Sequence, residues 1–254
     1  MTKLKFFSVI ILLIFVQSLT FGQKKYADLS QKLIEAARYD KPYKGLLKEL
    51  AEVDPDILAA ELDTDEAKKA FWINVYNAHI QFFLKENPKQ YEDRGKFFHA
   101  ESMLIAGKKL SFDKIEHGII RRSKNKYSLG FFGKIRVDKF EKKFRVKKVD
   151  GRVHFALNCG AESCPAVASY DYTKMDEQLD KSSKIHLKNT SKYNVLEDEV
   201  LVTKLLSWFR ADFGKKKKVI KMLKKYEIIP EDAKPSIKYD DYDWTMDLDN
   251  YIDL

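Results

Sequence analysis

Residues 64–85 read TDEAKKAFWINVYNAHIQFFLK, and this run decides the architecture. Thr64 is a good N-cap and Asp65 and Glu66 fall in the first turn, so a helix is expected to open here and to run to about Lys85. At about 100° per residue, Phe71, Val75, Ala78 and Phe82 make one stripe, Trp72, Tyr76, His79 and Phe83 a second, and Ile73, Ile80 and Leu84 a third. A helix that is apolar on every side is a buried one. Its polar exceptions, Asn74, Asn77 and Gln81, share one narrow strip. Buried amides need partners, so these either pin neighbouring backbone or line a cavity.

Other segments are expected to pack around this helix. Leu29, Leu33, Ile34 and Ala37 fit one helix face, and Leu46, Leu47 and Leu50 begin a second. Ser111 can cap a further helix carrying Ile115, Ile119 and Ile120. Glu116 shares the apolar face of that helix, where an acid must be paired or protonated. His117 and Arg121 lie one turn apart on a neighbouring face and are expected at the surface. Residues 152–158 read as a strand, residues 127–134 as a loop, residues 138–148 as an edge strand and residues 199–203 as a strand. Between them run helices over residues 173–189, with Thr173 as its cap, 205–213 and 219–226.

The chain has 254 residues, 44% of them hydrophobic and 13% aromatic, enough to bury a sizeable core. No internal repeat or Gly/Ser-rich linker interrupts it. The expected class is α+β: a helix-rich single domain over residues 23–254 with a small, mainly antiparallel sheet and a buried central helix.

The first residues read as a secretory leader. Lys3 and Lys5 precede an almost unbroken apolar run over residues 6–16, and residues 17–22 turn small and polar. The run falls short of the roughly 20 apolar residues a membrane span needs, so cleavage near Gly22 is expected, with no stable span afterwards. The mature protein is therefore expected to be periplasmic or secreted.

The net charge of +9 loses the two lysines of that leader and stays basic. Lysines cluster at residues 142–148 and 215–225, and aspartates at residues 240–253. Such clusters read as solvated faces that keep the chain soluble. The compartment argues against a nucleic-acid partner.

Cys159 and Cys164 lie in VHFALNCGAESCP, residues 153–165, with His154 just before them. Three kinds of chemistry fit. In the first, a thiolate attacks a carbonyl or thioester, His154 removes its proton and Glu116 or Asn77 orients the imidazole. Pro165 would then open a short helix with Cys164 at its N-cap, where the dipole favours a thiolate. The second is a structural Cys159–Cys164 disulfide, the common state of nearby cysteines in an oxidising compartment. The third is zinc held by His154, Cys159 and Cys164 with His117 or His186; that spacing matches no standard finger, so neither a metal nor another cofactor is expected. No Gly-x-Ser-x-Gly elbow, His-Glu-x-x-His, Walker loop or dinucleotide turn is present, which argues against nucleotide enzymes and elbow-type serine hydrolases.

Four stretches in order, FWINVYNA at residues 71–78, IEHGIIR at 115–121, the run at 154–165 and YDW at 242–244, resemble the family called domain of unknown function 547 over about residues 60–250. The resemblance marks Asn74, Asn77, Glu116, Arg121, His154 and Cys159 as motif positions. With the residue chemistry it implies a thiol-dependent hydrolase or acyltransferase built on Cys159 or Cys164, His154, Glu116 and Asn77, with Asn74 and Arg121 in binding roles. Its expected substrate is a peptide or envelope component. The competing expectation is a non-catalytic envelope binding module.

Overall fold

A computed structural model describes residues 24–254; the leader assigned to residues 1–22 lies outside the described residues. Helix α1 (Lys25–Arg38) buries Leu29, Leu33, Ile34 and Ala37, and α2 (Lys44–Glu52) buries Leu50. Helix α3 (Pro55–Glu61) starts on the Asp54 side chain, which accepts from the amides of Asp56 and Ile57, with Pro55 where a missing N–H costs nothing.

The quoted stretch forms α4 (Asp65–Glu86), capped by Thr64 Oγ1 accepting from the Ala67 amide at 3.1 Å. All three apolar stripes are buried except at Phe83, which is half-buried against the core. Helix α1 lies along α4, and Trp72 meets Phe71, Phe140 and Phe144 edge-on.

Two of the strip amides are backbone pins. Asn74 Nδ2 donates to the Tyr170 carbonyl at 2.8 Å while its Oδ1 accepts from the Tyr170 amide at 2.9 Å. Asn77 Nδ2 donates to the Ala156 carbonyl at 2.8 Å and its Oδ1 accepts from the Asn158 amide at 2.9 Å. Each side chain thus does for an irregular segment what a neighbouring strand would do, supplying one donor and one acceptor.

A 3₁₀ turn (Pro88–Asp93) and α5 (Arg94–His99) lead to the hairpin of β1 (Met103–Ile105) and β2 (Lys108–Leu110). A π-helix (Lys114–Ile120) follows, with the Ser111 hydroxyl accepting from the Lys114 amide at 3.1 Å. Then come α6 (Lys139–Phe144), a 3₁₀ helix (Gly151–Phe155) and α7 (Met175–Thr190). The strands β3 (Lys192–Asn194), β4 (Glu199–Val202) and β5 (Ser236–Tyr239) form one small sheet, β3–β4 antiparallel and β4–β5 parallel. Between β4 and β5 lie α8 (Leu205–Trp208) and α9 (Lys215–Lys225). The fold is α+β and helix-rich, with the buried central helix the sequence leads one to expect.

Four local readings differ. Residues 151–155 wind as a 3₁₀ helix rather than a strand, since Asp150 accepts from the Arg152 amide at 3.1 Å and Asn77, not a strand, satisfies the backbone that follows. The expected edge strand near residue 140 is α6, capped by Asp138 accepting from the Glu141 amide. Thr173 does not cap α7; its hydroxyl donates to Asp171. No helix opens at Pro165, so the dipole argument for a Cys164 thiolate has no structural basis here. Among the described residues no helix is long and apolar enough to cross a membrane.

After β5 the acidic tail runs back along the cysteine loop. The Glu162 amide donates to Thr245, Ser163 to Asp243 and Asp247 to Gly160, all through backbone, and further on Ile252 donates to Val167. This return places Tyr242 and Trp244 beside Cys159.

Candidate functional site

The separated motifs meet at one cavity of about 340 Å³. Tyr76 reaches it from α4, Phe98 from α5, and Asp113, Glu116 and His117 from the π-helix and the residue before it. His154, Leu157 and Cys159 come from the 3₁₀ helix and the loop after it, Leu205 and Trp208 from α8 with Phe209 just past its end, and Tyr242 and Trp244 from the tail. The wall is largely aromatic: Trp208, Tyr242 and Trp244 pack on one another with ring centroids 4.7–5.9 Å apart.

The π-helix explains which polar groups arrive there. Its Arg121 amide bonds back to the Glu116 carbonyl at 2.8 Å, a five-residue span. The wider turn rotates the faces away from those expected at 3.6 residues per turn. Glu116 is mostly buried, as expected, but His117 and Arg121 are buried too, contrary to the surface position assigned to them. Gly118 is required because a Cβ there would lie 2.8 Å from the carboxyl carbon of Glu141, a fully buried acid that pairs with Lys114 at 2.8 Å and Lys134 at 3.3 Å.

Asp212 organises the site and was not among the residues singled out in the sequence. Its Oδ2 accepts from Arg121 Nε at 2.6 Å and from His154 Nε2 at 3.0 Å, with all three side chains about 1% exposed. Arg121 Nη1 also donates to His117 Nδ1 at 2.7 Å, and Glu116 Oε1 lies 3.4 Å from that same nitrogen. Phe209 stacks on His154 at 3.6 Å and lies under the Arg121 guanidinium at 4.6 Å. Glu116, His117, Arg121, Asp212 and His154 thus form one continuous polar chain.

Burial sets most of the titration behaviour. It pushes the Glu116 carboxyl up to about 7 against the opposing pull of Arg121. His154 is pushed down to about 4 by burial despite its bond to Asp212, and His117 falls well below its ordinary range from burial and Arg121. Asp212 is buried as well, but hydrogen bonds from His154 and Arg121 hold it below the usual carboxylate range. His154 is therefore neutral, with its proton on Nε2 toward Asp212, and Nδ1 is the ring nitrogen Asp212 does not engage.

A pH dependence of stability follows. His79 and His186 are also pushed down to about 4 by burial. Below about pH 6.5 the unfolded chain protonates these four histidines while the folded chain does not, so acidification favours unfolding. Glu116 acts oppositely between its unfolded value of about 4.3 and its folded value near 7, where the folded state holds the extra proton. Four groups outweigh one. Urea denaturation is expected to show stability falling from pH 7 to pH 5, at about 1.4 kcal/mol per pH unit for each net proton. Stability rising over that range would contradict this arrangement.

Cys159 and Cys164 are joined as a disulfide, with Cα atoms 6.2 Å apart. Cys164 is buried and its sulfur accepts from the Cys159 amide at 2.9 Å; only Cys159 lines the cavity. The Tyr242 hydroxyl lies 3.4 Å from the Cys159 sulfur and 3.1 Å from that of Cys164. Of the residues singled out in the sequence, Glu116, His154 and Cys159 share the cavity wall, Asn77 and Arg121 bond from behind it to its lining segments, and Asn74 bonds to Ser30 and Tyr170, which do not line it. Neither Arg121 nor Arg152 pairs with Glu116; Arg152 is held by Asp150, Asp176 and Asp180. Among the described residues no group of three His, Cys, Asp or Glu side chains is placed to hold a metal ion.

Fold and site together define a helix-rich α+β protein with an aromatic cavity floored by a carboxyl–imidazole network. A family model described as protein of unknown function, DUF547, matches residues 60–187. The chain belongs to that family. The matched span holds α4, the π-helix and the cysteine loop, while Asp212 and the aromatic wall of α8 and the tail lie beyond it. Comparison with curated proteins and with solved structures found no match.

Proposed function

We propose that this chain is an exported ligand-binding protein whose aromatic cavity takes a peptide or other envelope component, with the Cys159–Cys164 disulfide as part of the cavity wall. One observation carries the reading: four sequence stretches spread over residues 71–244 converge on a single cavity whose one sulfur-bearing wall residue among the described residues is tied to Cys164. The stacked rings of Trp208, Tyr242 and Trp244 suit a flat or apolar ligand face. Glu116 on the floor, protonated up to about pH 7, suits a hydrogen bond to a ligand acceptor.

A second reading rests on Asp212. A carboxylate on Nε2 of a neutral imidazole is how a general base is oriented, and His154 lines the same cavity as Cys159. Were the two cysteines free thiols in the native protein, Cys159 would be the nucleophile of a hydrolase or acyltransferase, His154 its base and Asp212, in place of the expected Glu116 or Asn77, the orienting group. Titration of the native, unreduced chain with a thiol reagent separates the two. Protection of both cysteines is expected; a fast-reacting thiol would overturn the binding reading in favour of the enzyme.

A further inference from the structure

Residues 123–136 read SKNKYSLGFFGKIR and form a tight loop. Its stem is closed by the Lys124–Gly133 bridge and by the Asn125 amide donating to Phe132 and the Lys134 amide to Ser123. Its far end, at Leu129 and Gly130, is anchored over the buried ion pair. Gly130 has φ +83° and a Cβ there would lie 2.5 Å from Asp212 Oδ1, while the Ala211 amide donates to the Leu129 carbonyl. The loop is therefore held in shape by its own bonds, and it holds apolar groups outward. Tyr127 is 88% exposed, Phe132 73% and Ile135 fully so, with Phe131 beside them at 46%.

Such a cluster is costly to leave in water and marks an interaction surface. Its surroundings identify the partner. Arg122, Lys124, Lys126, Lys134 and Arg136 flank these residues, and no acidic residue occurs between Gly118 and Val137. Lys126 and Lys134 are paired at their heads with Asp113 and Glu141, whereas Arg122 and Arg136 are exposed. Exposed aromatic and aliphatic side chains close together in sequence with a fringe of cations match the acyl boundary and the anionic headgroups of a bilayer surface. We infer that this loop docks the protein on an anionic membrane surface, with Tyr127, Phe131, Phe132 and Ile135 entering the interface. Tyr127 and Leu129 also line the cavity, so the docked loop brings the cavity mouth to the lipid headgroups. The inference does not depend on what the cavity holds.

Vesicle flotation with the processed chain, residues 23–254, tests it. The chain is expected to float with phosphatidylcholine vesicles containing roughly a third phosphatidylglycerol, less with phosphatidylcholine alone, and less at high salt. Phe131→Ser combined with Phe132→Ser is expected to weaken the partition by about tenfold or more. Lys124→Glu with Arg136→Glu is expected to abolish the preference for the anionic lipid. Val195→Ser with Leu196→Ser removes another exposed apolar tip, 72% and 98% exposed but followed by Glu197, Asp198 and Glu199, and is expected to change nothing. These side chains are largely exposed, so unchanged melting midpoints check that every variant folds. Absence of flotation with the anionic vesicles, or equal flotation of the phenylalanine variant, would overturn the inference. So would a dimer in sedimentation that the phenylalanine variant dissolves, because a second copy would then cover the loop.

Discussion

Arg121→Met is expected to destabilise the folded chain by about 3–5 kcal/mol, the cost of removing one partner from a buried ion pair. Arg121 and Asp212 each expose about 1% of their side chain and meet at 2.6 Å. The guanidinium also donates to His117 and packs on Phe209. Without it, Asp212 keeps only the hydrogen bond from His154, and a bare carboxylate would remain in a site that water does not reach. The cheapest relief is protonation of His154, so the variant should gain stability relative to wild type as pH falls toward 5. Arg121→Met combined with Asp212→Leu removes both charges and should recover part of the loss, which a double-mutant cycle in urea measures. A single variant that costs less than about 1 kcal/mol would show that the pair is not the buried anchor described.

Asn77→Leu is expected to cost about 2–4 kcal/mol, since it strands two buried backbone groups, the Ala156 carbonyl and the Asn158 amide. For a chain of this size that lowers the melting midpoint by roughly 5–15 °C. Leucine has the heavy-atom count and branching of asparagine and is the larger of the two, so no cavity opens and lost hydrogen bonding would dominate. The same bonds hold the segment between His154 and Cys159 against α4, so the variant should also loosen the cavity wall. An unchanged midpoint would show that Asn77 is not a pin.

These two residues show how far the sequence carries. Asn77 was legible as a buried amide because α4 is apolar all round and leaves its polar strip conspicuous. Glu116 was legible for the same reason, as an acid on an apolar face, and its convergence with His154 and Cys159 on one wall follows the motif order. Arg121 was misplaced because a π-helix adds a residue to each turn and nothing local in residues 114–121 announces it. What holds that winding is Glu141 packed against Gly118, a contact between segments 23 residues apart. The alternation of Val153, Phe155 and Leu157 resembles a strand, but that segment is buried on both sides and finds a side chain instead of a strand to bond. Asp212 gave no signal, since in residues 205–213 it looks like an exposed charge on a short amphipathic helix. Asp138 with Glu141 three residues on did carry a capping signature for α6, and it could have been read.

In the function proposed above, the cavity is a binding site with its sulfur pair closed rather than a thiol active site. Counting thiols on the processed, unreduced chain tests it most directly. With an excess of thiol reagent, the account predicts no reaction in the native protein, none after denaturation, and two thiols once a reductant is added. A thiol that reacts fast in the native, unreduced protein and is lost in Cys159→Ser would contradict it and assign the site to a Cys159–His154–Asp212 nucleophile.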